Sequence, residues 1–243
     1  MNPLIIALDV DSTAEALRLV DEIGSASDLY KIGMELYAAG GMDFVSQLSS
    51  FGKKVFLDLK LYDIGETVKR ATRRICETGA VTFLTVHGSR SIMAAAAEGR
   101  AGTNTRLLAV TVLTSFDQED LADLGYSVPI QQLVELRVRK AVESGMGGIV
   151  CSPREVRRVR EIGGRNLTLV TPGVRSTGAA VGDQKRVATP AEAIQDGADY
   201  LVIGRQVTRA ADPRRACEEI LAEIEHTKRD TIPAPRIDHQ YLT

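Results

Sequence analysis

The chain has 243 residues, 44% of them hydrophobic, which is enough for one large core, and β/α barrels of this length commonly form a single domain. With 30 Lys and Arg against 32 Asp and Glu, the formal net charge is −2; there is no global basic field to attract nucleic acid or an anionic membrane, so any anion site must be local. Cys76, Cys151 and Cys217 stand apart, with no C-x-x-C pair and no histidine at metal-ligand spacing, a pattern that predicts reduced thiols in a cytoplasmic protein and no metal.

The run from Met1 to Asp9 has no basic n-region, and Asp9 interrupts it too early for a signal peptide. No stretch approaches the length of a membrane-spanning helix. From Leu4 onward, short β-branched runs alternate with longer segments of helical period. Strands are expected at Leu4–Asp9, Leu29–Gly33, Lys54–Lys60, Thr82–His87, Leu107–Leu113, Gly148–Ser152, Thr168–Thr171 and Tyr200–Ile203. Amphipathic stretches between them include Thr13–Ile23, Glu66–Thr78, Ile130–Ser144, Pro153–Ile162 and Pro190–Asp196, and Pro213–Lys228 forms a closing helix. Residues 229–243, with Pro233 and Pro235, are expected to form an irregular tail beyond a catalytic domain of residues 1–228.

Eight strand-helix repeats predict an α/β fold, a TIM (β/α)8 barrel with its active site at the carboxyl ends of the strands. A doubly wound open sheet is the alternative. It is weakened because no G-x-G-x-x-G follows the first strand, and no phosphate-binding G-x-x-x-x-G-K-[ST] occurs either.

Polar residues at strand ends are therefore the ones to weigh. Alternation puts Ile5, Ala7 and Asp9 on one face of the first strand, and Lys31 in register with Leu29 and Gly33 on the second. On the third, Phe56, Asp58 and Lys60 share a face, and on the fourth Thr85 and His87 share a register. One buried charge is commonly a structural ion pair. Four of them, at matching ends of three consecutive strands, are costly to bury unless function retains them. His87, as a lone histidine, reads better as a structural residue than as a chemical one.

The carboxyl half supplies a candidate anion site. The seventh strand runs into Pro172-Gly173-Val174-Arg175 and the eighth into Gly204-Arg205. Each pairs a glycine, which lets the backbone come close to an anion, with an arginine able to bind it bidentately. The small-residue segment from Ser176 to Gln184 has the composition of a loop that closes over a ligand.

The segment Asp58-x-Lys60-x-x-Asp63-Ile64-Gly65-x-Thr67 closely resembles the signature of the orotidine 5′-phosphate decarboxylase family, and the resemblance extends from Asp9 to Arg205. It implies decarboxylation of orotidine 5′-monophosphate to uridine 5′-monophosphate, the last step of de novo pyrimidine synthesis, without metal or organic cofactor. It further implies Lys60 as proton donor to C6, set among Lys31, Asp58 and Asp63. Asp9 and Lys31 would contact the ribose, and Thr114 and Gln184 the pyrimidine or the closing loop. Arg175, Gln184, Gly204 and Arg205, with Pro172 beside them, would surround the phosphate. The same resemblance implies a homodimer in which Asp63, Ile64 and Thr67 complete the neighbouring subunit's site. A Mg-dependent sugar-phosphate decarboxylase or aldolase on a related barrel would share Asp-x-Lys-x-x-Asp, and Ile64, Gly65 and Thr67 favour the nucleotide enzyme over it. A catalytically silent phosphate-binding barrel would leave Asp58, Lys60 and Asp63 without a purpose.

Overall fold

Alternating apolar residues give each strand two surfaces, and a barrel buries both, one against its own axis and one against a ring of helices. The structure is a computed structural model describing residues 2–176 and 188–230. Its strands are β1 (Leu4–Ala7), β2 (Leu29–Gly33), β3 (Lys54–Leu61), β4 (Phe83–His87), β5 (Arg106–Val110), β6 (Gly148–Val150), β7 (Thr168–Thr171) and β8 (Tyr200–Ile203). They pair in sequence order, all parallel, and β8 returns to β1 to close the barrel. The helices are α1 (Thr13–Ile23), α2 (Met34–Ser50), α3 (Gly65–Glu77), α4 (Arg90–Arg100), α5 (Gln118–Asp123), α6 (Ile130–Glu143), α7 (Val156–Gly163), α8 (Pro190–Gln195), α9 (Arg205–Thr208) and α10 (Pro213–Asp230).

All eight expected strands are present, and the differences lie at their ends. β1 stops at Ala7, although the amide of Leu8 still donates to the Lys31 carbonyl at 3.0 Å. The expected helix at Pro153–Ile162 divides into a 3-10 turn, Pro153–Glu155, and α7. The fragment Gly40-Gly41 masks α2 in the sequence, since glycine is a poor helix former and Gly41 takes φ 56°, a kink inside the helix. In α4 an alanine run blurs the apolar period. The tail from residue 231 and the closing-loop residues 177–187, Gln184 among them, lie outside the described residues.

Outward-facing strand residues such as Leu4, Ile6, Leu8, Ile32 and Leu57 join the helices in one large apolar cluster. Ser12 caps α1 by accepting the Glu15 amide at 3.2 Å, and the helix turns Ala16, Leu19, Val20 and Ile23 inward. Truncating the fully buried Leu19 to alanine would cost about 2–5 kcal/mol, the range for emptying a packed core site. Inside the barrel a second cluster, Ile5, Ala7, Leu29, Phe56, Phe83, Leu108, Val170 and Val202, fills the lower and middle layers. The Phe83 ring meets Phe56 and Tyr200 edge-on, with centroids 6.1 and 5.3 Å apart. This apolar plug closes the base, so inward residues one step further along each strand emerge at the carboxyl end. No helix among the described residues is long and apolar enough to cross a membrane.

Candidate active site

At the ends of β1, β2 and β3 the inward residues that follow the plug are charged. On β2, Lys31 is the buried one, its side chain 11% exposed, and its ammonium donates to Asp9 Oδ1 at 2.7 Å. Asp58, 14% exposed at its side chain, stands 4.0 Å from the same ammonium and 3.0 Å from that of Lys60. Carboxylate and ammonium therefore alternate through Asp9, Lys31, Asp58 and Lys60 across the ends of β1, β2 and β3. Asp9 departs from the expectation of a buried group: its side chain is 57% exposed, because β1 has already ended and the residue lies on the loop above it. Gly33, the next inward position after Lys31, is open for a reason: a Cβ there would lie 3.2 Å from Lys31 Nζ and 3.4 Å from Asp9 Oδ1, crowding the ion pair.

Simple alternation does not account for Lys60. β3 advances from Leu57 to Leu61 while β4 advances only from Leu84 to Val86, a bulge that locally breaks the ladder. Within it Lys60 adopts φ 49°, the only non-glycine residue with positive φ among the described residues. That conformation costs about 1–3 kcal/mol and clusters at functional sites. It turns the side chain back over its own strand, where Nζ donates to both Asp58 oxygens at 3.0 Å. Thr85 on β4 accepts the Lys60 amide at 2.9 Å and donates to Asp58 Oδ1 at 2.9 Å.

These groups line a cavity of about 540 Å³ that also receives Thr114, Pro172, Gly173, Arg175, Gly204 and Arg205. The volume lies in the range of small-molecule sites. The stems of the β7–α8 loop are joined by a bridge between Val174 and Ala188, with the Arg175 amide donating to the Ala188 carbonyl at 3.0 Å. Gln206 of α9 holds the Ser176 end, accepting its amide at 3.2 Å and donating to its hydroxyl at 2.8 Å. The half-buried Arg175 guanidinium is pushed below its ordinary range, first by burial and then by the positive charge of Arg205. Two cations facing one mouth favour an anion between them.

Arg209, Asp11, Glu35 and Ser115 also line the cavity and were not expected from the sequence. Arg209 caps the end of α9, its amide donating to the Arg205 carbonyl at 3.1 Å, one helical turn beyond Arg205. Asp63, Ile64 and Thr67, by contrast, do not line the cavity of their own chain and lie exposed. Asp63 accepts the Ile64 amide at 2.6 Å, and the Ile64 side chain stands in solvent with the residue 76% exposed, close to Tyr62 at 68%. His87 is half-buried with its ring edge-on to Tyr62, centroids 5.6 Å apart.

Comparison with known proteins agrees with this geometry. A family model described as "Orotidine 5'-phosphate decarboxylase / HUMPS family" matches residues 2–220. A protein named orotidine 5′-phosphate decarboxylase from Rhodopseudomonas palustris (strain HaA2) is 51% identical over 225 residues, 93% of this chain and 95% of that one. One of the same name from Bradyrhizobium sp. (strain BTAi1 / ATCC BAA-1182) is 52% identical over 221 residues, 91% of this chain and 90% of that one. Among solved structures, an orotidine 5′-phosphate decarboxylase from Lactobacillus acidophilus superposes with a TM-score of 0.81 at 35% identity, covering 92% of this chain and 99% of its own. Barrel, charged array and motif coincide with matches that span nearly the whole chain, and this chain belongs to the orotidine 5′-phosphate decarboxylase / HUMPS family.

Proposed function

We propose that the protein decarboxylates orotidine 5′-monophosphate to uridine 5′-monophosphate and CO2, in the cytoplasm and as the last step of de novo pyrimidine synthesis. The observation that carries this reading is the alternating Asp9, Lys31, Asp58, Lys60 array opening into a cavity whose far wall holds Arg175 and Arg205. A nucleotide monophosphate matches that polarity: the arginines and the Gly204 backbone receive the phosphate, Asp9 and Lys31 the ribose hydroxyls, and Thr114 the base. The Gln184 contact to base or phosphate belongs to the same reading, though that residue lies outside the described residues.

Loss of CO2 from C6 of a uracil ring leaves a carbanion with no adjacent carbonyl to take up its electrons, so fixed charge must stabilise it. Lys60 offers an ammonium for this and then a proton for C6. Asp58, next to the departing carboxylate, opposes the ground state. Two unit charges about 4 Å apart interact by about 4 kcal/mol at an effective dielectric of 20. Enzymes lower barriers by about 8–23 kcal/mol, so repulsion alone does not suffice. Stabilisation of the carbanion and binding energy drawn from the phosphate supply the remainder.

The reaction in this proposal uses no metal or organic cofactor. It does use a second subunit: Asp63, Ile64 and Thr67 complete the partner's site in a homodimer. Support comes from their exposure and from Ile64 and Tyr62, large apolar residues in solvent beside the site, the kind of surface a partner covers. The test is to add orotidine 5′-monophosphate with EDTA present and follow the orotate absorbance. Its decay is expected; a flat trace would refute the reaction, and activity that appears only with added Mg2+ would favour the sugar-phosphate type of chemistry.

A further inference from the structure

We propose that Thr85 is a positioning residue for the decarboxylation, its hydroxyl holding Lys60 in the backbone conformation that aims the ammonium; this rests on the function proposed above.

Thr85 is fully buried on the inner side of β4 and does not line the cavity, so it acts through other groups. It stands opposite the bulge, where the pairing of β3 with β4 lapses after Leu57 and resumes at Leu61. In the gap, the Lys60 amide donates not to a strand carbonyl but to Thr85 Oγ1, at 2.9 Å. An amide can only donate and an ionised carboxylate can only accept. The hydroxyl between them is therefore fully specified: it accepts from Lys60 and gives its one proton to Asp58 Oδ1, 2.9 Å away. Through a single oxygen it ties the backbone of the proton donor to the carboxylate that the donor's own ammonium grips.

That oxygen sits at the strained point of the strand. Lys60 holds φ 49°, a conformation that persists only where the surroundings enforce it. Without the hydroxyl, the part-buried Lys60 amide loses its acceptor and Asp58 loses a donor, and both defects favour relaxation of the bulge toward an ordinary strand. Lys60 Nζ then moves away from the cavity wall. The phosphate-facing arginines, in the loop after β7 and at the start of α9, are untouched. The expected signature is thus a lower kcat with KM little changed.

The experiment compares wild type, Thr85→Val and Thr85→Ser in orotidine 5′-monophosphate turnover, uridine 5′-monophosphate binding and thermal unfolding. Valine keeps the shape and removes the hydroxyl; kcat should fall about 10–100-fold, the scale for misplacing a reacting group by an ångström or less, with KM and product affinity within about threefold. Serine keeps the hydroxyl and should retain kcat within about fivefold. Wild-type kcat in Thr85→Val, or a loss in Thr85→Ser equal to that in Thr85→Val, would overturn the proposal, as would losses that appear only in thermal stability. If Thr85→Val does not fold, Thr85→Ser remains decisive, since a hydroxyl that fails to support kcat is not a positioning group. An inert wild type would strike the function proposed above and not the role of Thr85.

Discussion

Lys60 and Asp58 lie two residues apart on one strand, yet their side chains meet, the ammonium 3.0 Å from both carboxylate oxygens. On a regular strand such neighbours point the same way with their heads apart; the left-handed turn at Lys60 closes the distance. If that ammonium is the proton donor, Lys60→Ala removes both carbanion stabilisation and the proton source. Turnover should fall by at least about 10³-fold, given what general acids and fixed charges each contribute. Affinity for uridine 5′-monophosphate, measured by calorimetry, should survive because Arg175 and Arg205 are elsewhere. Wild-type-like turnover in this variant would remove Lys60 from the mechanism.

The two arginines should behave differently from the lysine. Arg175 is held below its usual range by burial and by Arg205, so an anion between them relieves a repulsion present in the free protein. Each lost charge-assisted hydrogen bond costs about 1.5–3 kcal/mol, or about 10–100-fold in kcat/KM. Arg205→Ala and Arg175→Ala should show this chiefly as raised KM. Inorganic phosphate should raise the Tm of wild type by selective binding to the folded state, and do so less for either variant. An equal phosphate response in all three proteins would place the anion site elsewhere.

Much of the fold was legible in the sequence, and for identifiable reasons. Lys54–Leu61 alternates on one face through Val55, Leu57 and Leu59, and Thr168–Thr171 is rich in β-branched side chains, so the number and order of the strands emerge from such patterns. The array at Asp9, Lys31, Asp58 and Lys60 is legible because each is a charge where a barrel strand expects an apolar residue. The geometry of Lys60 is not, because alternation carries no sign of a bulge, and a lysine is an unlikely residue to find in the left-handed region. Nor is the part played by Thr85, a residue type equally at home as neutral strand filler. Arg209 was missed because α9 is only four residues long, too short to show a period.

Asp63 and Lys60, three positions apart in sequence, should serve different sites if the enzyme is a homodimer with shared active sites. Homodimers of Lys60→Ala and of Asp63→Ala should each be nearly inactive. Mixed and allowed to exchange subunits, they form hybrids in which one site carries both substitutions and the other carries neither. Random exchange would then restore about a quarter of wild-type activity, since half the dimers are hybrids and half their sites are intact. No recovery despite exchange, verified by mass spectrometry of the hybrids, would show that Asp63 acts within its own subunit.

His87 makes acid stability a local matter. Its imidazole titrates below the ordinary 6.5, chiefly through burial and further through the positive charges of Arg137 and Lys60. Above that ordinary value the ring is neutral in folded and unfolded chains alike and has no effect on their balance. Between it and the lower folded value, the unfolded chain takes up a proton that the folded one refuses, so stability falls as pH falls. Below the folded value both states are protonated and the loss grows no further. The urea midpoint of wild type should therefore drop more steeply through this window than that of His87→Asn, which keeps every other titrating group. Parallel slopes for the two proteins would mean that the imidazole is protonated as readily beside Tyr62 and Arg137 as it is in the unfolded chain.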